Sequence, residues 1–219
     1  MTSLTKLLER NKNWAKKVSK EKPDFFDKLS QQQKPDYLWI GCSDSRVSEN
    51  QIVDLPAGKI FVHRNIANQF LQGDMNSNSV LQYAVETLNI NHIILCGHYS
   101  CGGVLTAFED SYNGLVDHWV ENINIIKCEY QESLDKIKEI NDQVNALCEL
   151  NVIYQVRNIY SSDVVRRAWA SDSNLYIHGL IYKLTDGNLI DLNISITNQK
   201  DLNNVFKNAV NAVFDRYIK

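Results

Sequence analysis

Cys42, Asp44, Arg46, His98 and Cys101 are the side chains whose types and spacing could do chemistry together in this 219-residue chain. The first three fall in "GCSDSRVS", directly after the apolar run "YLWI". The other two fall in "CGHYSCGGV", at the end of the apolar run "HIIL". Two thiolates and an imidazole are a soft, tetrahedral-favouring ligand set that suits Zn²⁺. Asp44 as a fourth ligand would close a structural site, and a water there would make a catalytic one. Each piece alone has an ordinary reading. A charged strand end is commonly a surface ion pair, and a cysteine is often just a small buried hydrophobe. Cys96, Cys128 and Cys148 have no ligand-like neighbours in sequence and read as structural thiols.

For the two motifs to meet, the chain must bring two strand ends to one rim. "YLWIG" (37–41), "KIFVHR" (59–64) and "HIILCGH" (92–98) are short apolar runs with the character of buried strands. "SVLQYAVETLNI" (79–90) has helical periodicity, with Asn78 or Ser79 as its N-cap. Strands alternating with helices imply a mostly parallel sheet covered by helices on both faces. Ligands of such sheets bind beyond the carboxyl ends of the strands, where Cys42, His98 and Cys101 can converge. Residues 114–167 are helical and charge-rich, with Leu147, Leu150, Ile153, Val156 and Ile159 at helical spacing. "LYIHGLIYKL" is a further strand, and "TDGN" with Asp186–Gly187 is a hairpin turn into an antiparallel "LIDLNISI". A final helix starts at Asp201. At the other end, Leu4, Leu7, Leu8, Asn11, Trp14, Ala15 and Val18 mark an amphipathic helix. Pro23 and Pro35 then bracket a short segment and the polar loop "QQQK".

The bulk properties narrow the classes. The length suits one domain with a proper core. A net charge of −3 gives no case for nucleic acid. The apolar runs are far short of a membrane span, and "MTSLTKLLERNKNW" is interrupted by charge, unlike a signal peptide. Five cysteines, an odd number, suit a reducing compartment, so the chain reads as cytoplasmic.

Together, "CSDSR" and "GHYSCGG" resemble the β-class carbonic anhydrases, whose signature is Cys-x-Asp-Ser-Arg followed by His-x-x-Cys. The likeness extends through "KPDYLWIGCSDSRV", "FVHRNIAN", "SVLQYAVETL", "ILCGHYSCGGV", "NVIYQVRNI" and "IHGLIYKLTDG". Tyr99 departs from it, being bulkier than the usual residue between the ligands. The resemblance implies one domain, 1–219: an N-terminal helical arm at 1–35, reaching to a partner, and an α/β zinc domain at 36–219. It implies four parallel strands plus an antiparallel edge strand. It also implies one Zn²⁺ per chain on Cys42, His98 and Cys101, with a homodimer as the minimum unit and a tetramer as the expected assembly.

The implied reaction is reversible hydration of CO₂ to bicarbonate and a proton by hydroxide on zinc. Arg46 would orient Asp44, Asp44 would orient the hydroxide, and the Gly102 N–H would face the fourth ligand position. By family position Phe61, Ile66 and Tyr83 would line the CO₂ pocket, with Gln33 as a polar donor. One subset of the family lets Asp44 close onto zinc at low pH or with bicarbonate, which binds to a Trp, an Arg and a Tyr. Trp39, Arg64 and Tyr182 match that trio, and their three donors suit an oxyanion. Competing readings are hydrolysis of carbon disulfide or carbonyl sulfide at the same site and a non-catalytic bicarbonate-sensing zinc protein. A thiol redox role lacks the Cys-x-x-Cys it would need.

Overall fold

The computed structural model describes residues 2–31, 33–109, 114–197 and 202–218. They form two compact units, Met1–Lys34 and Pro35–Lys219. In the first, α1 (Ser3–Glu21) starts at Thr2, whose hydroxyl accepts from the Thr5 N–H at 3.3 Å. Trp14 meets Phe26 of α2 (Phe25–Gln31) edge-on, with ring centroids 5.6 Å apart. The predicted amphipathic helix is there, but Leu4, Leu7, Leu8 and Trp14 all stay exposed.

The second unit runs β1 (Tyr37–Cys42), α3 (Glu49–Ile52), β2 (Ile60–Asn65), α4 (Met75–Gln82), β3 (His92–His98) and α5 (Gly102–Glu109). It continues with α6 (Leu115–Glu129), α7 (Gln131–Leu134), α8 (Ile140–Tyr160), α9 (Asp163–Ala170), β4 (Tyr176–Lys183), β5 (Asn188–Ile196) and α10 (Leu202–Tyr217). The strands form one sheet in the order β2-β1-β3-β4-β5. The first three pairings are parallel, and β5 returns antiparallel to β4. The hairpin between them turns at Gly187, with φ +74°.

Strand pleating sends alternate side chains to opposite faces. Leu38, Ile40, Ile93, Leu95, Ile177 and Ile181 point to one face and are wholly buried. Helix α8 lies on that face against β3, β4 and β5. Its approach requires a glycine: a Cβ on Gly97 would come within 2.6 Å of Val152. The other face is covered unevenly. Trp39 is buried there, where Val53 and Leu55 close a cavity of about 290 Å³ with Tyr37, Ile60 and Ile94. Tyr176, His178 and Tyr182, further along that face, are only half-buried.

One boundary differs from expectation. The helix placed at 79–90 begins at Met75, because Asp74 caps it by accepting from the N–H groups of Asn76 and Ser77 at 3.1 and 3.2 Å. Asn78 is not the cap; its amide donates to the Leu71, Gln72 and Asp74 carbonyls. From Tyr83 to Thr87 the helix widens into a π turn.

Candidate metal centre

Cys42 is the last residue of β1 and His98 the last of β3, so two adjacent parallel strands end at the same rim. Cys101 follows one tight turn later, just ahead of α5, and its carbonyl accepts from the Leu105 N–H at 2.9 Å. The turn closes through Ser100, which takes a left-handed φ of +55°. That conformation costs an L-residue roughly 1–2 kcal/mol, and it swings Cys101 back toward Cys42. The two sulfurs lie 3.9 Å apart. The Cys42, His98 and Cys101 ligand atoms all fall within 4.8 Å of one another, and all three residues are buried.

Two features show that this donor set fits a metal. His98 Nε2 is buried without a hydrogen-bond partner, a condition that normally costs free energy. Its Nδ1 lies 2.9 Å from the Tyr99 carbonyl, so that nitrogen carries the proton and Nε2 is left as a ligand. The thiols are also unequal. Hydrogen bonding from Cys101 holds the Cys42 thiol far below the ordinary range, and the same contact, with burial, pushes Cys101 up. A dication would compensate the charge of two thiolates held this close together.

Asp44 stands beside the cluster, with Oδ2 3.7 Å from His98 Nε2. Arg46 takes both of its carboxylate oxygens, Nε at 3.0 Å and Nη2 at 2.7 Å, and the Arg46 N–H adds a bond at 2.9 Å. These bonds hold the Asp44 carboxyl well below the usual carboxylate range. Arg46 Nη2 also reaches the Ser100 carbonyl at 3.5 Å, tying the Asp44 loop to the ligand turn.

Of the other predicted site residues, Gly102 opens α5 next to Cys101. Ile66 is exposed and sits against Gly103, where an added Cβ would come within 2.8 Å of it; its carbonyl accepts from Trp119 Nε1 at 2.8 Å. Phe61 and Tyr83 pair with ring centroids 5.8 Å apart. Gln33 belongs to the first unit and is exposed. Trp39, Arg64 and Tyr182 share the sheet face opposite Cys42, by the pleat and the strand register. Trp39 and Arg64 lie on neighbouring strands, and Tyr182 is on β4, two strands beyond Trp39. The indole lies over Gly41, where a Cβ would come 2.8 Å from Trp39 Nε1. Arg64 has a task that its sequence position does not reveal. It donates to the Cys42, Asp44 and Val47 carbonyls at 2.8, 2.6 and 2.5 Å.

Cys96, Cys128 and Cys148 stay outside the cluster. A family model described as carbonic anhydrase matches residues 37–189. A carbonic anhydrase of Emericella nidulans is 42% identical over 189 residues, covering 86% of this chain and 83% of that one. Among solved structures, tetrameric β-carbonic anhydrases from Sordaria macrospora superpose with a TM-score of 0.85 at 35% identity, over 89% of this chain and 98% of that one. The Coccomyxa β-carbonic anhydrase in complex with acetazolamide gives 0.87 at 31% identity, over all of both chains.

The chain belongs to the β-carbonic anhydrase family. Its α/β sheet and its Cys-His-Cys cluster are those the family motifs imply. Behind the ligand turn of this β-carbonic anhydrase lies a group that motif reading missed. Glu149 of α8 is fully buried and accepts from Tyr99 Oη at 2.6 Å and Tyr217 Oη at 2.8 Å, and it pairs with Arg216. The one hint in the sequence is the bulk of Tyr99 between two ligands.

Proposed function

We propose that this carbonic anhydrase hydrates CO₂ reversibly to bicarbonate and a proton, with one zinc ion per chain on Cys42, His98 and Cys101. The observation that carries the reading is a buried Cys-His-Cys cluster with an orphaned imidazole nitrogen, beside a carboxylate locked by arginine. Zinc held there would act as a Lewis acid and bring the pKa of a bound water down to about 7. Asp44, fixed by Arg46, would accept a hydrogen bond from the attacking oxygen and so orient it. A planar, bidentate clamp suits this task because it removes the freedom of the carboxylate. The Gly102 N–H, at the start of α5, would offer a hydrogen-bond donor to an oxygen bound at the site. Phe61 and Ile66 give apolar CO₂ a hydrocarbon wall, to which Tyr83 adds the face of its ring. The enzyme works as a homodimer at least, and as a tetramer in full, in a reducing cytoplasmic setting that suits its free cysteines. No helix among the described residues is long and apolar enough to cross a membrane.

The same reading includes closure. Bicarbonate bound among Trp39, Arg64 and Tyr182 would compete with carbonyls for the Arg64 guanidinium. Losing that grip frees the Asp44 and Val47 carbonyls, and Asp44 can then leave Arg46 for the metal. The Arg46 clamp speaks for a catalyst over a sensor, since a permanently closed site needs no such arginine. Stopped-flow CO₂ hydration by zinc-loaded protein across pH tests the proposal. The rate should rise with pH and vanish on chelation; a rate no faster than that of the chelated protein would overturn it.

A further inference from the structure

Tyr99 uses all of its polar groups on different parts of the molecule. Its carbonyl accepts from His98 Nδ1 at 2.9 Å, and its N–H donates to the Tyr182 carbonyl of β4 at 3.1 Å. Its hydroxyl donates to Glu149 at 2.6 Å. Glu149 has no exposed surface, and a carboxylate taken out of water is tolerated only when fully partnered. Its other partners, Arg216 and Tyr217, both come from the last turn of α10. A buried group satisfied by three donors is rigid as a set and loses that rigidity when one member goes. An ordinary buried ion pair would tie α10 to α8 and stop there. This one continues through Tyr99 into the turn that carries His98 and Cys101.

We propose that Tyr99 is a positioning residue through which the C-terminal helix sets the metal-holding turn: Arg216 and Tyr217 fix Glu149, Glu149 fixes Tyr99, and the Tyr99 carbonyl fixes the ring of His98. This rests on the metal reading above and goes beyond it by assigning roles to residues of α8 and α10. Partners that orient a ligating histidine typically influence metal affinity by about 10–100-fold.

The test compares two phenylalanine variants that each remove one hydroxyl from the same Glu149 oxygen. Tyr99→Phe should speed zinc release to a chelator about tenfold and shift the absorption bands of the cobalt-substituted protein. Tyr217→Phe reaches the turn only through Glu149 and Tyr99, so it should speed zinc release by clearly less than Tyr99→Phe, and add nothing when Tyr99→Phe is already present. Arg216→Met should also speed zinc release, but not when Tyr99→Phe is already present, because both act along one path. Equal zinc release and equal spectra for the two phenylalanine variants would overturn the inference, and they decide it even if Arg216→Met does not fold. A wild-type chain that takes up no zinc would overturn the metal reading and this inference with it. Zinc on the wild type with indistinguishable variants overturns this inference alone.

Discussion

Replacing Arg64 by lysine separates its hold on the Asp44 loop from any role in binding an anion. The guanidinium spans three carbonyls, those of Cys42, Asp44 and Val47. An ammonium is a compact donor on a flexible stem and cannot reproduce that fork, so Arg64→Lys keeps the charge and loses two of the bonds. Hydrogen bonds from a charged donor contribute about 1.5–3 kcal/mol each when sealed from water. The Arg64 side chain is 30% exposed, and water can reach the freed carbonyls. A discounted figure of about 1 kcal/mol per bond is therefore appropriate, or about 2 kcal/mol in all. For a chain of this length that lowers the thermal midpoint by about 4–8 °C. If the whole loss falls on the placement of Asp44, CO₂ hydration slows by at most about 30-fold. Calorimetry and stopped-flow hydration on zinc-loaded protein measure the two effects. A residue that served only to attract bicarbonate would behave differently: lysine would alter bicarbonate inhibition and leave the midpoint and basal rate alone. That outcome would refute the loop-holding role.

Cys101→Ala should lose zinc and activity together, and X-ray absorption of the wild type should show sulfur neighbours; a shell of nitrogen and oxygen alone contradicts the ligand assignment. Asp44→Asn should keep zinc yet hydrate CO₂ slowly, since an amide can donate to the attacking oxygen and misdirect it. Arg46→Ala should also be slow, because nothing then keeps Asp44 off the metal; near-normal rates for both variants would sink the clamp. Trp39→Phe should weaken bicarbonate inhibition and flatten the pH–rate profile, and an unchanged profile would make that pocket mere packing. His178→Gln concerns stability: burial, together with His92, holds the His178 imidazole below its ordinary value. The unfolded chain then takes the proton first, so stability is complete above about pH 6.5 and falls as pH drops through the folded pKa. Urea midpoints from pH 7 to 5 should fall less steeply in the variant, and an identical slope would remove His178 as the cause.

What could be read ahead of the structure follows from where the information lies. β1 and β3 were legible as continuous apolar runs that a central parallel sheet demands, and their ends carry the ligands. The hairpin was legible because Asp186–Gly187 states its turn locally. The start of α4 was not, because Asp74 and Asn78 are both plausible caps until the loop before them is placed. Helix α8 was legible only in part. Its stripe through Leu147, Leu150 and Ile153 shows one apolar face, but Glu149, Asn151 and Gln155 are equally buried. Their partners are distant in sequence: Gln69 Nε2 donates to Asn151 Oδ1 at 2.8 Å, and Arg216 pairs with Glu149. A polar residue buried by a partner dozens of positions away looks, in one sequence, like a solvent-facing one. Arg64 was hidden for a related reason, since its acceptors are main-chain carbonyls and no residue type marks them.

The loop that leaves β1 is where an anion near Trp39 and a metal at the strand ends could be coupled. Cys42 and Trp39 are three residues apart and so point to opposite faces. The metal ligands come from both faces, since His98 pairs in register with Tyr182 on the Trp39 side while Cys42 points the other way, and Trp39 and Cys42 are joined through the loop that leaves β1. Arg46 grips the Asp44 side chain, and Arg64 grips the Asp44 and Val47 carbonyls. On the proposed closure, loosening the second grip would change the main-chain position of Asp44 without any contact with the first. The coupling must also run backward, since linkage between two binding equilibria is reciprocal. On the proposed closure, a loop drawn onto the metal by Asp44 would leave Arg64 with free donors and so would bind bicarbonate more tightly. A tenfold difference in bicarbonate affinity between the two loop positions is worth about 1.4 kcal/mol. That is comparable to one or two of the Arg64 bonds, the scale the proposed closure would require of a single anion.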